Sequence, residues 1–251
     1  GCEVIFNMLD TAFLTGGCHY SWSCKGYMSS CKNCAAIKNK SSSNIAHKNL
    51  INKLKYLNKI KYRINASSNW AISQITKSKL FDFNNSNLIY YPIDQNLFKP
   101  HNYKTINSID LSGHKVVLIG SQDFKDERKG SKYLYKLFEL LTNKLSNEQS
   151  KKIVFLIVGN NKSFSPPFQN INLGGLSMEE LIYTYSLADV FLCPSVEDNG
   201  PMMINEALMC GTPVVSFNTG ISADLVNNKT GYLANNFNAE DLTNGLIEVL
   251  F

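Results

Sequence analysis

From Lys115 onward the chain alternates short apolar runs with segments of helical periodicity, and few folds accept that pattern. Val116–Ile119, Ile153–Val158, Val190–Cys193 and Val214–Phe217 are apolar at nearly every position. Each is long enough for a strand and too continuous for a strand with one wet face. Helical patterns follow at Ser131–Leu145, Met178–Leu187, Pro201–Cys210 and from about Ala239. Strands buried on both faces and separated by helices predict an α/β fold with a Rossmann-like, doubly wound parallel sheet. Such sheets bind ligands beyond the carboxyl ends of their strands. The loops after Ile119, Val158, Cys193 and Phe217 all end on that side.

The loop after Cys193 carries the densest chemistry. Adjacent carboxylates, Glu197 and Asp198, precede Gly200-Pro201, where a helix opens, and a third carboxylate, Glu206, lies inside it. Gly211 ends that helix and Pro213 opens the next apolar strand. A helix N-terminus offers unpaired N–H groups and a positive dipole end, which suit phosphate. Carboxylates on either side suit the hydroxyls of a sugar, so the stretch reads as a cradle for a nucleotide-sugar. The plainer alternative is an acidic loop and an ordinary helix of an α/β domain.

This stretch resembles the donor-binding segment of retaining GT-B glycosyltransferases of family 4, the glycosyl transferases group 1. That family has an acidic pair spaced E-x7-E, the second acid opening E-A-x-x-x-G-x-P-V-V. Here Asp198 and Glu206 hold the spacing, with Asp in place of the first Glu. Glu206-Ala207, Gly211, Pro213, Val214 and Val215 match the remainder. Residues 197–201, Glu-Asp-Asn-Gly-Pro, are similar to the E-D-N-x-P of a branch involved in bacterial surface polysaccharides. The resemblance implies a GT-B fold. It places Glu197 and Asp198 at the hydroxyls of the donor sugar and Glu206 at the nucleotide ribose. Backbone N–H groups of Gly200, Met202 and Met203 would hold the diphosphate, Pro201 contributing none. It also implies transfer on one face of the sugar, with the leaving phosphate helping to deprotonate the acceptor. The protein then orients the donor and stabilises the departing nucleoside diphosphate, and no cofactor is required for catalysis.

Lys129-Gly130 resembles the family's "KG", which brings a lysine to the donor phosphates as a point charge. A solvated lysine is the simpler reading. Many relatives place an Arg just after the Gly that ends the preceding strand. This chain has Ser121 there, so Arg128 substitutes or Lys129 acts with the helix dipole alone. Gly174-Gly175-Leu176 sits where relatives place a loop by the nucleobase, and reads equally as a bare loop before a helix. Upstream, Ser68-Asn69-Trp70 fits a Ser-x-Trp turn between a strand at Tyr62–Ala66 and a helix running to about Lys79. Leu88–Tyr91 reads as a strand. Pro92 through Pro100 resembles the family's linker between lobes, one residue shorter. Two parts are therefore expected: residues 1–91, the C-terminal remnant of an acceptor lobe, and residues 92–251, the donor-binding domain.

Cys18, Cys24, Cys31 and Cys34 lie in the run TGGCHYSWSCKGYMSSCKNC. It resembles the polysaccharide branch's TGGCHY…C…C-x-x-C-P, with Ala35 in place of Pro. Four thiolates, one pair spaced C-x2-C, could hold a structural zinc, and His19 could replace one of them. Packed free thiols, disulfides and iron–sulfur ligation are the other readings. Relatives commonly read H-D-x-W ahead of this run. Here the His position is Leu9 and the Trp position Ala12, while Asp10 stays.

The net charge of +5 hides a division. Residues 11–81 hold twelve Lys or Arg and no acid, whereas residues 82–251 hold thirteen basic and eighteen acidic residues. Within Lys48–Lys61, Leu50, Leu54 and Leu57 fall at helical spacing with lysines between them. Such a helix can lie on an anionic membrane, or pack its apolar face on its own domain. Peripheral membrane contact through residues 38–63 is expected on the first reading. Nucleic acid is not, because no recognition motif accompanies the charge. The chain shows no apolar run long enough to span a bilayer and no leader, and is expected to be cytoplasmic. It begins with Gly and is expected to be an N-terminally truncated chain. The function expected is a bacterial hexosyltransferase-type glycosyltransferase. It would move a sugar from a nucleoside-diphosphate sugar to a lipid-linked or polysaccharide acceptor, in capsule, exopolysaccharide or lipopolysaccharide biosynthesis. A catalytically silent sugar-nucleotide-binding fragment and a GT-B sugar-nucleotide epimerase are the rivals.

Overall fold

The computed structural model describes residues 2–39, 42, 44–159 and 164–251. Residues 40, 41 and 43 of the basic segment lie outside them. The chain forms two compact units: residues through Tyr91 with Glu197–Gly200, and Pro92–Val196 with Pro201–Phe251.

The first unit contains β1 (Glu3–Met8), α1 (Ile45–Leu57), β2 (Lys61–Ala66), α2 (Asn69–Lys77) and β3 (Ser86–Leu88). Its sheet is parallel, in the order β1-β2-β3. The helix expected at 48–61 starts earlier and stops at Leu57, because Lys61 is already paired with Glu3 in the sheet. Ser68 caps α2, its hydroxyl accepting from Ala71 N–H at 3.1 Å. The strand expected at Leu88–Tyr91 lies at Ser86–Leu88 instead. β2 ends at Ala66, whose carbonyl takes a last bond from Ile89 N–H at 2.8 Å, and no ladder continues beyond it. Met8, Leu50, Leu57, Ile64 and Ile75 form the core.

The second unit opens with a small hairpin, β4 (Thr105–Ile106) and β5 (Ile109–Asp110). There follow β6 (Lys115–Gly120), α3 (Ser131–Lys144), α4 (Asn147–Lys152), β7 (Ile153–Val158), β8 (Gln169–Gly174), α5 (Met178–Leu187) and β9 (Val190–Cys193). The chain ends with α6 (Met202–Met209), β10 (Val214–Phe217), α7 (Ser222–Leu225), β11 (Gly231–Ala234) and α8 (Ala239–Leu250). Six parallel strands lie in the order β11-β10-β9-β6-β7-β8. Their side chains alternate between two cores. Val116, Leu118, Leu156 and Phe191 pack with Ile182 of α5 and Ile204 of α6. Val117, Ile119, Phe155 and Leu192 pack with Leu137 of α3 and Leu246 of α8. Two buried faces explain why these runs are apolar at nearly every position, Ser216 of β10 being the exception.

The strand order reverses beside β6. The chain runs from β6 outward to β7 and β8, then returns to β9 on the other side of β6 and continues to β10 and β11. The ends of β6 and β9 therefore flank the switch point, where open α/β sheets leave a crevice for ligands.

β11 is tied to α8 by one carboxylate. Asp241 accepts from Tyr232 Oη at 2.7 Å, Asn235 N–H at 2.7 Å and the Asn235 amide at 2.6 Å. The backbone bond from Asn235, aided by the side-chain bonds, holds the Asp241 carboxyl below its ordinary range. A depressed folded value stabilises above the unfolded pKa, about 3.9, and the gain is lost as pH falls through the folded value. Asp241→Asn should cost roughly 1 kcal/mol at pH 7, judged from a partly exposed charged hydrogen bond. The deficit should close in acid, which urea titrations at the two pH values would check.

Candidate functional site

Short approaches bring the predicted phosphate-binding elements of the second unit to the switch point. β6 ends at Gly120, with Ser121 following, and β9 ends at Cys193, with Pro194 following. The helical turn Glu127–Lys129 lies against the segment after β9, with Val196 N–H donating to Arg128 O at 2.8 Å. Gly130 follows with φ at 71°, and a Cβ there would stand 1.9 Å from Pro194 O. Only glycine fits this close approach in a left-handed conformation. The "KG" pair thus has a steric reason, and half-buried Lys129 is delivered beside the end of β9. The side chain of Met203, in the first turn of α6, covers Gly120: a Cβ on Gly120 would lie 2.4 Å from the Met203 methyl.

α6 begins at Met202 after Pro201, and no side chain caps it. Met202 and Met203 supply its first two N–H groups, the kind of donor that a helix leaves unpaired. Glu206 lies one turn on, half-exposed, and its Oε2 accepts from Tyr185 Oη at 2.7 Å. Tyr185 is fully buried on α5, against Phe191. Its carbonyl accepts from Thr212 Oγ1 at 2.6 Å. Burial, and then the Glu206 charge, push the phenol well above its ordinary pKa. Tyr185 therefore stays a donor at neutral pH and fixes one oxygen of Glu206. Sequence reasoning missed Tyr185. Its signal is a polar-tipped aromatic at a core position of a helix, where the hydroxyl must find a partner.

Two other predicted donor-site residues are engaged locally. Ser121 is buried, and its hydroxyl donates to Asp123 O at 2.9 Å while accepting from Asp123 N–H at 3.2 Å. The Arg128 guanidinium pairs with Asp126, which also caps the turn through Arg128 N–H at 3.0 Å.

Glu197–Gly200 group with the first unit, and Asn199 fastens them there. Its buried side-chain amide donates to Met8 O at 2.6 Å, Ser67 Oγ at 3.0 Å and Tyr91 Oη at 3.2 Å. Its carbonyl accepts from Ser68 Oγ at 2.9 Å. Glu197 Oε1 accepts from Trp22 N–H at 3.0 Å, and buried Asp198 accepts from Gly200 N–H at 3.1 Å. The resemblance singled out the acids; the asparagine between Asp198 and Gly200 does the fastening.

In the same unit the thiols of Cys18, Cys24, Cys31 and Cys34 are unbridged and stand close enough to influence one another. Burial, with the neighbouring thiols, raises the pKa of Cys18 and Cys31. Among the described residues no three His, Cys, Asp or Glu come together in a way that could hold a metal ion. The geometry as it stands therefore gives zinc no support. His19 is drawn elsewhere: its Nδ1 lies 2.5 Å from Asp10 Oδ2. Leu9, at the family's His position, is largely exposed.

Residues 106–250 match the family described as Glycosyl transferases group 1. Among solved structures, the chain is similar to Alr3699/HepE of Anabaena in complex with UDP-glucose. The identity is 18%, 78% of this chain and 56% of that one are covered, and the TM-score is 0.60. It is similar to sucrose-phosphate synthase from Thermosynechococcus elongatus at 20% identity, covering 86% and 55%, with a TM-score of 0.62. The lipopolysaccharide outer core galactosyltransferase WaaB, in its apo form, is similar at 17% identity, covering 75% and 52%, with a TM-score of 0.58. The chain thus spans about half the length of these structures. No curated protein sequence matches it. The likeness shows a fold of GT-B type.

Proposed function

The chain belongs to the glycosyl transferases group 1, and on that premise we propose that it is a retaining hexosyltransferase using a nucleoside-diphosphate sugar. One observation carries the reading: the uncapped start of α6 and the Lys129 turn meet the strand ends at the switch point of the sheet. Amides of Met202 and Met203, the α6 dipole and Lys129 would take the diphosphate. Glu206, oriented by Tyr185, would take the ribose diol. Glu197 and Asp198, in the loop that leads into α6, are assigned to the sugar hydroxyls. The bond from the anomeric carbon to the phosphate oxygen breaks as the acceptor oxygen bonds to that carbon. The acceptor proton passes to the leaving phosphate, and positive charge around the phosphates lowers the barrier. UDP-glucose in the HepE structure makes a UDP-sugar the first donor to try.

The finer parts of this reading are a lipid-linked or polysaccharide acceptor, a role in bacterial surface-polysaccharide biosynthesis, and work in the cytoplasm at the inner membrane face. Among the described residues no helix is long and apolar enough to cross a membrane. The test is release of nucleoside diphosphate from a panel of UDP-, GDP- and ADP-sugars. Turnover by the wild type and its loss in Glu206→Ala support the reading. Binding without release would establish the silent binder, which the exposed Leu9 favours. Structural zinc on Cys18, Cys24, Cys31 and Cys34 stays in the proposal on donor chemistry and spacing alone. Protein purified without chelator should carry stoichiometric zinc, released when these cysteines are replaced by serine; metal-free protein with an unchanged melting temperature would exclude it.

A further inference from the structure

The first unit presents an apolar face that the donor-site reading leaves unused. α1 buries Ala46, Leu50 and Leu57 against its own core, and its opposite side is open. Beside that buried stripe, and reaching Leu57 of it, runs a groove of about 500 Å³ lined by Phe6, Phe13 and Phe81 together with Tyr56, Lys59 and Ile60. The three Phe rings form an edge-to-face set, Phe6 lying 5.4 Å from both Phe13 and Phe81. Lys53 Nζ donates to the carbonyls of Ala12 and Thr15 at 2.6 and 2.8 Å, which holds the Phe13 turn against α1. Packed rings and the half-buried Lys53 ammonium thus form one wall of the groove.

Around it the surface is both greasy and cationic. Ile45, Ile51 and Ile60 are exposed, and Tyr56 is 61% exposed. Lys48 and Lys55, two turns apart, share one side of α1, and Lys59 continues the row just past its end. Residues 11–81, which supply α1 and its lysines, contain no carboxylate; the acids nearest this surface are Glu3, which shares a pocket with Ile60, and Asp10, which acts on Lys53. Open apolar patches of this kind mark interaction sites, and the occupant must satisfy rings and ammonium groups together. A nucleic acid would meet the lysines and leave the groove empty. A lipid meets both, with a phosphate for the cations and a hydrocarbon chain for the rings.

We propose that this face lies on an anionic phospholipid bilayer, with α1 in the plane of the interface and a lipid chain in the aromatic groove. Lys48, Lys55 and Lys59 would reach the headgroup phosphates on flexible stems, while Tyr56 sits at headgroup depth as amphipathic aromatics do. The inference deepens the membrane-facing part of the proposed function and rests on that part. Donor binding in the second unit has no share in it, so either can fail alone.

The experiment is co-sedimentation with phosphatidylcholine vesicles, with and without a minority of phosphatidylglycerol. The protein should partition onto the anionic vesicles and not the neutral ones, and salt should release it. The triple variant Lys48→Gln/Lys55→Gln/Lys59→Gln should bind roughly a hundredfold more weakly, at about a fivefold loss per lysine. A second variant, Tyr56→Ser/Ile60→Ser, should weaken binding roughly tenfold and leave the salt dependence in place. Both alter exposed side chains, and unchanged melting temperatures would show that the fold survives. Equal binding to neutral vesicles, no binding at all, or an unaffected lysine variant overturns the proposal. So does a dimer that Tyr56→Ser/Ile60→Ser dissociates in a protein that ignores vesicles, because a second copy would then be the occupant.

Discussion

Gly130→Val is expected to cost the second unit about 3 kcal/mol, the sum of a left-handed backbone that a β-branched residue resists and a clash that packing cannot absorb. The clash is specific: the new Cβ would stand 1.9 Å from Pro194 O and 2.8 Å from its carbonyl carbon. Relief requires the Lys129 turn to move off the end of β9, breaking the 2.8 Å bond from Val196 N–H to Arg128 O. Because 3 kcal/mol is a large part of a typical domain's stability, the melting temperature should fall by about 10 °C. Whatever folded protein remains should bind UDP-glucose more weakly, since Lys129 is displaced with the turn. Gly130→Ala should show the same losses at reduced size. A valine variant that melts with the wild type would mean that the turn does not pack on Pro194.

Glu206→Ala is the second large effect, and it separates ligand binding from stability. Loss of a charged acceptor shared by two ribose hydroxyls should weaken UDP-glucose binding by about 2 kcal/mol, roughly thirtyfold. The same substitution strands the buried Tyr185 hydroxyl, which costs a further ~1–3 kcal/mol of stability through an unpaired donor. Tyr185→Phe should do less to binding, because the carboxylate stays and loses only its fixed orientation. In the double variant Tyr185→Phe/Glu206→Ala the stability loss of Glu206→Ala should largely disappear, while binding stays weak. This non-additivity is what a direct contact predicts. Titration calorimetry and urea melts on the four proteins provide the test. Full binding by Glu206→Ala would remove Glu206 from the donor site.

The sheet was legible in the sequence wherever burial was two-sided. Ile153–Val158, Val190–Cys193 and Val214–Phe217 stand where the apolar runs put them, because a strand covered on both faces cannot disguise its period. β8 and β11, the two edges of the same sheet, were not seen. β8 reads QNINLG, and with one neighbour and half-solvated faces it needs no apolar run. The Lys129-Gly130 pair was read from a resemblance, and the close approach to Pro194 gives it a cause. Partnerships remained hidden. Nothing local shows that Tyr185 would meet Glu206, or that Asn199 would hold Met8, Ser67 and Tyr91, since those contacts join positions far apart in the chain.

The central claim is that the first amides of α6 grip the diphosphate of a sugar nucleotide. The chain has six methionines, and two of them, Met202 and Met203, are those amides. Protein labelled with ¹⁵N at methionine should therefore show six backbone signals. Addition of UDP or UDP-glucose should move the signals of Met202 and Met203 strongly downfield, as charged acceptors do, while uridine without its phosphates should leave them in place. Signals from Met202 and Met203 that stay fixed at saturating UDP-glucose, or respond equally to uridine, would contradict the account.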